Sequence, residues 1–529
     1  PPPPPPPPPP PFSSRRRHTR CARWSRGLGD VYKRQGVGQA PLPQKWRERP
    51  VLDDALLKRL VKLGHSAEAV FGYPQDIEWA VAKLGSWAED RETAVEEGLV
   101  LLQSRPLTSL RFDLELGQWT SFNYREILPG FASPLSISMS AEHDYGRALS
   151  EFFERLGMGQ PRPGVVWGRS FFGRPYTNMT ELKHFAAIVP GYQERALDQT
   201  LGIEPTYEGD GKTTPWTPRT VLRALPILFN LNRQYRIGWK WAKEYRDRFL
   251  QEIEPQFDRV NLAALSDDEL GSWMQRIFDL HWQANGTAIQ VTLLSVQSQD
   301  EFEPMLDQLN RRLPSAARIA EGDLITGLSD VGTARPTRGL WDLALQVRAD
   351  RDLAQVVLGG APEALPQRLQ NTAPRRALWS KIETFLEQYR YMAWADEDLA
   401  TARWDEDPTF AFSMLQSYVA SEDVKDPDRL LADQRSIRHE AERRASEALS
   451  QGWRRWWPLG RRAFYKKLEL VRRYVWWREE LRVISAKAFY QCRRFFLELG
   501  RRWAASGLLS EPDEIFLLRW DTIQGALQG

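Results

Sequence analysis

The sequence predicts a mainly α protein with one small α+β region near its N-terminus. Apolar residues recur at intervals of three and four through most of residues 120–529, which is the helical period. A period-two alternation, typical of strands, occurs at residues 76–81 and 99–105. The composition, 42% hydrophobic and 27% charged, is that of globular domains with buried cores. It excludes collagen-like, disulfide-framework and wholly disordered chains.

Residues 1–35 differ from the rest of the chain in composition. Eleven prolines are followed by an arginine-rich stretch with no apolar period. A stiff linker, an SH3-type ligand, a transit peptide and a nucleic-acid-binding arm are the functional alternatives. The segment more closely resembles translated sequencing-adapter sequence. We therefore predict that it is non-native and disordered, and we exclude it from the domain assignment.

Excluding this segment reverses the sign of the net charge. The whole chain carries +3, but residues 1–35 hold eight basic residues and one acid. The remainder has 64 basic and 68 acidic residues, a net charge of −4, so we expect no nucleic-acid partner. Its single cysteine, Cys492, suits a reducing cytoplasm. The chain has no uninterrupted apolar run of about 18 residues, so we expect no membrane span and no membrane partner.

The first ordered elements are predicted after a Gly-, Pro- and Gln-rich connection at residues 36–50. Residues 51–63 have apolar positions at 52, 56, 57, 60, 61 and 63, which predicts a helix. The two alternating stretches follow, separated by a polar segment at residues 82–98. We expect residues 51–110 to form a helix and an antiparallel strand pair.

A linker at residues 111–120 is predicted to lead into a large helical domain at residues 121–525, with an irregular stretch near 160–216. Ser266 and Glu269 have the spacing of a capping box at the start of a helix. Residues 464–506 predict one long helix, which Gly507 ends as a glycine after the last helical turn.

The strand pair carries the polar residues that predict a site. Alternation puts Glu78 on one face of its strand together with Asp76, and Gln103 on one face of its strand together with Leu101 and Arg105. Antiparallel pairing can bring Glu78 beside Gln103 and Arg105. A carboxylate and an amide oxygen suit Mg²⁺, and arginine binds phosphate in a bidentate way. By spacing alone, an ordinary surface ion pair is the more common outcome.

Two short motifs give this pair a family resemblance. FGYPQDIEWA at residues 71–80 and LLQSRP at residues 101–106 resemble the end of the ATP-grasp domain in the pyruvate phosphate dikinase and phosphoenolpyruvate synthase superfamily. The resemblance implies that residues 51–110 are the C-terminal part of an ATP-binding domain. It also implies that Glu78 and Gln103 bind Mg²⁺ and that Arg105 contacts a phosphate of ATP. Asp76 matches a family position and has a weaker implied role.

Downstream motifs narrow the resemblance to rifampicin-phosphotransferase-like members. They are FNYREILPG at 122–130, GRPYTNMT at 173–180, RWDEDP at 403–408 and the ending at 499–516. The resemblance implies a helical acceptor-binding domain in a relay. ATP phosphorylates a histidine on a swivelling domain, which passes the phosphoryl group to a small-molecule acceptor. We expect the ATP-grasp body and the phosphohistidine domain to lie beyond the two ends, and this chain alone to be an inactive fragment.

One motif departs from the family. Family members often carry Tyr-Gly-His-Arg before an acidic motif. This chain has YRYM at residues 389–392, followed by the acids of 396–398 and by Arg403 and Trp404. The loss argues against rifamycin as the acceptor. The five histidines after residue 35 lie in no phosphohistidine context, so we interpret all of them as structural.

Two further features leave alternatives open. Four tryptophans on predicted helices favour core packing over the lining of a large apolar pocket: Trp239, Trp241, Trp273 and Trp282. Residues 453–478 hold nine basic residues and one acid among aromatics. Arginine stems covering apolar surface are favoured there, ahead of docking of an anionic swivelling domain and of single-stranded nucleic acid.

The rival to the enzyme hypothesis is a non-enzymatic helical small-molecule-binding or interaction protein that keeps an ATP-grasp relic.

Overall fold

The computed structural model describes residues 54–71, 75–83, 97–106 and 117–528, with short gaps at 125–126, 129, 202, 204–206, 208, 312, 330, 422–425 and 451–457. The predicted connection at 36–50, most of the loop at 82–98 and most of the linker at 111–120 lie outside these residues. The chain divides into two compact units, one ending at residue 113 and the other beginning at residue 114. Each unit is described by itself.

The small unit is a helix packed on a two-stranded antiparallel sheet. Helix α1 spans Asp54–Phe71, strand β1 spans Gln75–Lys83 and strand β2 spans Glu97–Pro106. The predicted helix and strand pair are confirmed, with the helix extending eight residues further than the pattern at 51–63 indicated. One side of α1 contacts both strands, and Ala67 is buried there.

The large unit is almost entirely helical, which confirms the predicted fold class. Its strands are β3 (Trp119–Thr120), β4 (Gly168–Phe171) and β5 (Arg174–Asn178), in the order β3-β5-β4. Its α-helices are α2 (Pro134–Ser136), α3 (Gly146–Leu156), α4 (Met179–Ala186), α5 (Glu194–Thr200), α6 (Pro218–Arg248), α7 (Glu254–Asp258), α8 (Asp267–Asn310), α9 (Glu321–Ile325), α10 (Arg335–Arg348), α11 (Arg351–Leu358), α12 (Leu365–Arg368), α13 (Ala373–Gln388), α14 (Thr409–Ala420), α15 (Pro427–Ser450), α16 (Pro458–Ala505) and α17 (Trp520–Leu527). Two π-helices, at Ile137–Tyr145 and Phe249–Ile253, join neighbouring α-helices.

The irregular stretch predicted near residues 160–216 contains regular elements that are too short for a periodic pattern. It holds the hairpin of β4 and β5 and the short helices α4 and α5. Elements of four to eight residues complete one or two periods, so their signal in the sequence is weak.

The two longest helices, α8 and α16, form the centre of the large unit. They run antiparallel: Phe302 packs on Phe464 near one end of the pair, and Phe278 packs on Phe496 near the other. The main core lies where α3 and α6 pack against this pair. A second core lies among α10–α14 and one side of α16, and a third joins the C-terminal part of α8 to α15 and the start of α16.

The predicted helix ends are confirmed by their hydrogen bonds. At the start of α8, Ser266 Oγ accepts from the Glu269 N–H at 3.3 Å, and Glu269 Oε2 accepts from the Ser266 N–H at 2.7 Å. Helix α16 ends at Ala505, and Gly507 follows at a φ of 80°, the left-handed conformation that glycine adopts without a steric cost.

Candidate functional site

The two strands of the small unit bring the four predicted site residues together. Glu78 pairs with Gln103, and Asp76 pairs with Arg105. Paired residues of an antiparallel ladder point to the same face, and so do residues two positions apart. All four side chains therefore share one face, and Arg105 lies opposite Asp76 rather than opposite Glu78.

This polar face points away from the helix that covers the sheet. Gly64 of α1 lies against the other face, because a Cβ there would stand 3.7 Å from Ile77 Cδ1. Glu78, Gln103 and Arg105 are exposed. The three groups are thus available to a ligand on the uncovered side of the strand pair.

Asp76 orients the guanidinium of Arg105. Arg105 Nε and Nη2 donate to Asp76 Oδ2 at 2.9 and 2.8 Å, and the side chains are 58% and 44% exposed. A pair this exposed contributes little to stability, because water and salt screen it. Its effect is positional: the guanidinium is held beside Glu78 and Gln103, and a more highly charged phosphate can compete for it.

The opposed pair Glu78 and Gln103 fits Mg²⁺ chemically. Both supply hard oxygens, and Mg²⁺ typically takes one or two protein oxygens and completes its shell with phosphate oxygens and water. Within the described residues, no cluster of three or more His, Cys, Asp or Glu side chains is arranged to hold a metal ion by itself. These two residues therefore fit a metal that shares its shell with a nucleotide.

A β-bulge interrupts the strand pair beside the site, and the sequence analysis missed it. Glu78 pairs with Gln103, but Trp79 pairs with Leu101, so Leu102 is the extra residue. The bulge moves Leu101 onto the face opposite to that of Gln103 and Arg105, which corrects the predicted face of Leu101. Leu102 is 64% exposed.

The large unit contains a buried polar centre that no local motif announced. Asp144, at the end of the first π-helix, accepts from His281 Nδ1 at 2.6 Å and from Asn285 Nδ2 at 3.2 Å, both on α8. His143 Nδ1 lies 2.9 Å from the other carboxylate oxygen. Burial opposes ionisation of Asp144, but the two histidines outweigh it and lower its pKa. His281 and Asn285 lie more than 130 residues after Asp144 in the sequence. A motif of short spacing therefore could not reveal this centre.

A second buried contact holds the acidic loop of residues 396–398. Asp398 Oδ1 accepts from Ser133 Oγ at 2.7 Å and from Ser136 Oγ at 3.0 Å. Arg403, fully buried, donates to the main-chain oxygens of Asp396 and Asp398. These contacts give the acidic motif and Arg403 a structural role, which the sequence analysis did not assign.

Glu397, between the two aspartates, lies in a different environment. Burial raises its pKa to about 7, and the nearby carboxylates of Asp396 and Asp144 add to the rise against the opposing effect of Arg482. Arg482 Nη2 lies 3.8 Å from Asp396 Oδ2. The loop thus places a carboxyl that titrates near neutral pH beside an arginine.

The segment YRYM at residues 389–392, which stands where the family has Tyr-Gly-His-Arg, is packed into the body. Tyr389 and Tyr391 are buried in the second core. Arg390 pairs with Asp258 at 2.6 Å and stacks on Tyr490. In this chain residues 389–391 therefore hold helices together.

The four tryptophans divide between core packing and the lining of a pocket, and Trp239 is half-buried against the main core. Trp273 packs on Phe257 and Phe495 in the core. Trp241 and Trp282 line a groove of about 480 Å³ between α3, α6 and α8. Arg147 lies over the Trp282 ring at 4.1 Å, so one wall of the groove is an aromatic ring held by a cation.

In the basic segment 453–478, the described arginines and lysines lie mostly beside carboxylates. Arg472 pairs with Glu442 of α15 at 2.5 Å, Arg473 with Glu469 at 2.6 Å, and Lys467 with Glu301. Lys467 and Arg473 also lie over the rings of Tyr235 and Trp239 of α6, at 4.9 and 5.4 Å. The three interpretations of this segment stay predictions. Residues 453–457 lie outside the described part of the chain.

None of the helices that the structure describes has the length and hydropathy of a membrane-spanning segment.

Two family profiles match the chain, one in each unit. The profile described as "Pyruvate phosphate dikinase, AMP/ATP-binding domain" matches residues 28–116 and so contains Asp76, Glu78, Gln103 and Arg105. The profile described as "Rifampicin phosphotransferase fourth domain" matches residues 301–479. The first match begins inside the segment 1–35 that we set aside, and the non-native origin of that segment stays a prediction.

Several curated proteins are similar over most of the chain. They include the prodigiosin synthesizing transferase PigC of Serratia marcescens, 21% identical over 89% of this chain and 52% of the relative. The rifampicin phosphotransferase of Streptomyces sviceus is 22% identical over 92% of this chain and 52% of the relative. A probable phosphoenolpyruvate synthase of Pyrococcus horikoshii is 37% identical over 71 residues, which are 13% of this chain and 7% of the relative.

The chain spans about half the length of the curated relatives that it matches along most of its sequence. The two profiles and these relatives agree with the resemblance found in the short motifs. They confirm the resemblance of this chain to the superfamily of phosphoenolpyruvate-utilising enzymes and, within it, to the rifampicin-phosphotransferase-like members.

Proposed function

We propose that this chain provides one edge of the ATP site and the acceptor-binding body of an ATP-dependent phosphotransferase. The observation that carries the proposal is the shared face of Asp76, Glu78, Gln103 and Arg105, inside the residues that match an AMP/ATP-binding domain. Arg105 contacts a nucleotide phosphate, and Glu78 and Gln103 hold Mg²⁺. The metal supplies charge neutralisation on the phosphates. Asp76 positions Arg105.

The acceptor-binding role falls to the large unit. The groove lined by Trp241 and Trp282 is concave and aromatic, and charged side chains, among them Glu151 and Arg155, lie at its walls. Sites for small molecules commonly combine apolar walls with a few polar groups. In the proposed relay a phosphohistidine domain carries the phosphoryl group to a small molecule bound in this unit. The cytoplasm, where ATP is available, is the proposed location.

The ATP site is tested by calorimetric titration with Mg-ATP of the full-length protein, rebuilt from the flanking genomic sequence. Glu78→Gln and Arg105→Ala should each raise the Kd about tenfold or more, because each removes a charge-assisted contact to the ligand. Asp76→Asn should have a smaller effect, since it frees Arg105 without removing it. Lys58→Gln, on the exposed surface of α1, is the matched control that also removes a charge.

Equal affinities for all four variants would contradict the assigned site, and no binding by the unaltered full-length protein would contradict the proposal. We further expect no ATP-dependent release of AMP and phosphate from this chain alone.

The rival hypothesis, a non-enzymatic binding protein with an ATP-grasp relic, predicts stop codons in the flanking genomic sequence. The proposal predicts an ATP-grasp body upstream and a phosphohistidine motif downstream in one frame.

A further inference from the structure

One helix of the large unit presents an apolar surface to solvent. On α6, Leu222, Leu225 and Phe229 are 68%, 51% and 72% exposed. Their spacing of three and four residues aligns them on one side of the helix, and the same row continues through Arg233 and Arg236. We call these five residues the α6 ridge.

The ridge lies opposite the side that fixes α6 in the fold. Ala224, Ile227 and Leu231 are buried in or beside the main core. Exposed apolar side chains border the ridge on the helix and just before it. They are Val221, Leu228 and Trp216, the last 73% exposed. The first half of α6 therefore has apolar residues on both its inner and its outer sides.

The charged residues in this part of α6 are all basic. Residues 218–243 contain six basic residues and no acid. Arg219, Arg223, Arg233 and Arg236 are exposed, and no carboxylate among the described residues pairs with them. These four differ from the arginines of α16, most of which have acidic neighbours. An occupant of the ridge must therefore offer both apolar contact and negative charge.

We propose that the α6 ridge binds the surface of an anionic phospholipid bilayer, with the helix lying along the membrane plane. The exposed leucines and phenylalanine of the ridge can enter the acyl-chain region while its two arginines meet the phosphates of the headgroups. Apolar and aromatic residues at the interface with arginines among phosphates are typical of helices that lie on membranes. The expectation of no membrane partner rested on the lack of a spanning run, which does not apply to a helix lying on the surface. The proposal is independent of the proposed function.

The test is co-sedimentation of the whole chain with vesicles. We expect binding to vesicles of phosphatidylglycerol and phosphatidylcholine in equal parts, and weaker binding to phosphatidylcholine alone or at high salt. The double variant Leu222→Ser, Phe229→Ser should lower the partition coefficient about tenfold or more. Arg233→Gln with Arg236→Gln should lower it at low salt only. Unchanged circular dichroism and thermal midpoints would show that the variants fold.

The matched control is Leu508→Ser with Leu517→Ser, which removes two leucines that are 71% and 66% exposed in another part of the large unit. This control should bind vesicles as the unaltered chain does. Three results would overturn the proposal. They are no vesicle binding by the unaltered chain, equal binding by the ridge variants, and a ridge-dependent change of sedimentation coefficient without vesicles, which would indicate a second copy as the occupant.

Discussion

At the scale of single residues, Asp398 shows how one buried carboxylate joins distant segments. The hydroxyls of Ser133 and Ser136 and the N–H of Ala400 donate to one of its oxygens. Ser133 precedes α2 and Ser136 is its last residue, and both lie more than 260 residues before Asp398. Removing a buried acceptor leaves its donors without partners, which costs more than the hydrogen bonds themselves contribute.

We expect Asp398→Ala to lower the free energy of unfolding by about 3 kcal/mol, because several buried donors lose their acceptor. Asp398→Asn keeps a carbonyl oxygen in place and should cost less. Asp521, 70% exposed and paired with Arg519 at 3.2 Å, is the control, and Asp521→Ala should cost under about 1 kcal/mol. Urea unfolding followed by circular dichroism measures all three. Equal losses for Asp398→Ala and Asp521→Ala would contradict the structural role of Asp398.

At the scale of elements, the hairpin of β4 and β5 packs unusually close to the first π-helix. A Cβ at Gly168 would stand 1.8 Å from the main-chain oxygen of Ala141, a distance that no side chain can occupy. The contact is tied by the N–H of Ser170, which donates to Glu142 Oε1 at 3.2 Å. Because Asp144 lies in the last turn of the same π-helix, this packing also supports the buried centre formed with His281.

Gly168→Ala should therefore lower the free energy of unfolding by about 3 kcal/mol or more, since backbone rather than a flexible side chain must move. Gly271→Ala is the opposite case within the same unit. It lies on α8 with no atom within 4 Å of the added Cβ, and it should leave stability unchanged or raise it by up to about 1 kcal/mol. Thermal unfolding of the two variants compares them directly. A neutral Gly168→Ala would contradict the close approach.

Strand pairing and long helices could be predicted from the sequence because their signals are local. The alternation at 76–81 and the capping box at Ser266 are complete within a few residues. The bulge at Leu102 was not predictable, because alternation within one strand does not show which residue of the partner is skipped. The partners of Asp144 and Asp398 were not predictable either, since they depend on how α2, α8 and the acidic loop pack.

At the scale of the whole molecule, the stability of the large unit should depend on pH through its buried carboxyls, and in two directions. The lowered pKa of Asp144 means that its contribution is lost as the pH falls through that pKa. Glu397 acts in the opposite sense. Its pKa is raised to about 7 from an ordinary value of 4.5, so the folded state holds the proton more tightly than the unfolded chain. Its contribution is complete below about pH 4.5 and falls as the pH rises towards 7.

Glu397→Gln separates the two effects, because the amide resembles the protonated carboxyl and does not titrate. Relative to the unaltered chain, the variant should differ by under about 1 kcal/mol near pH 5 and be more stable by about 3 kcal/mol at pH 8. The measurement is the urea midpoint at several pH values between 5 and 8. Glu383→Gln, on the exposed surface of α13, should follow the unaltered chain at every pH. A difference between the two variants that does not change with pH would show that Glu397 is ionised throughout this range, and the buried environment assigned to it would be wrong.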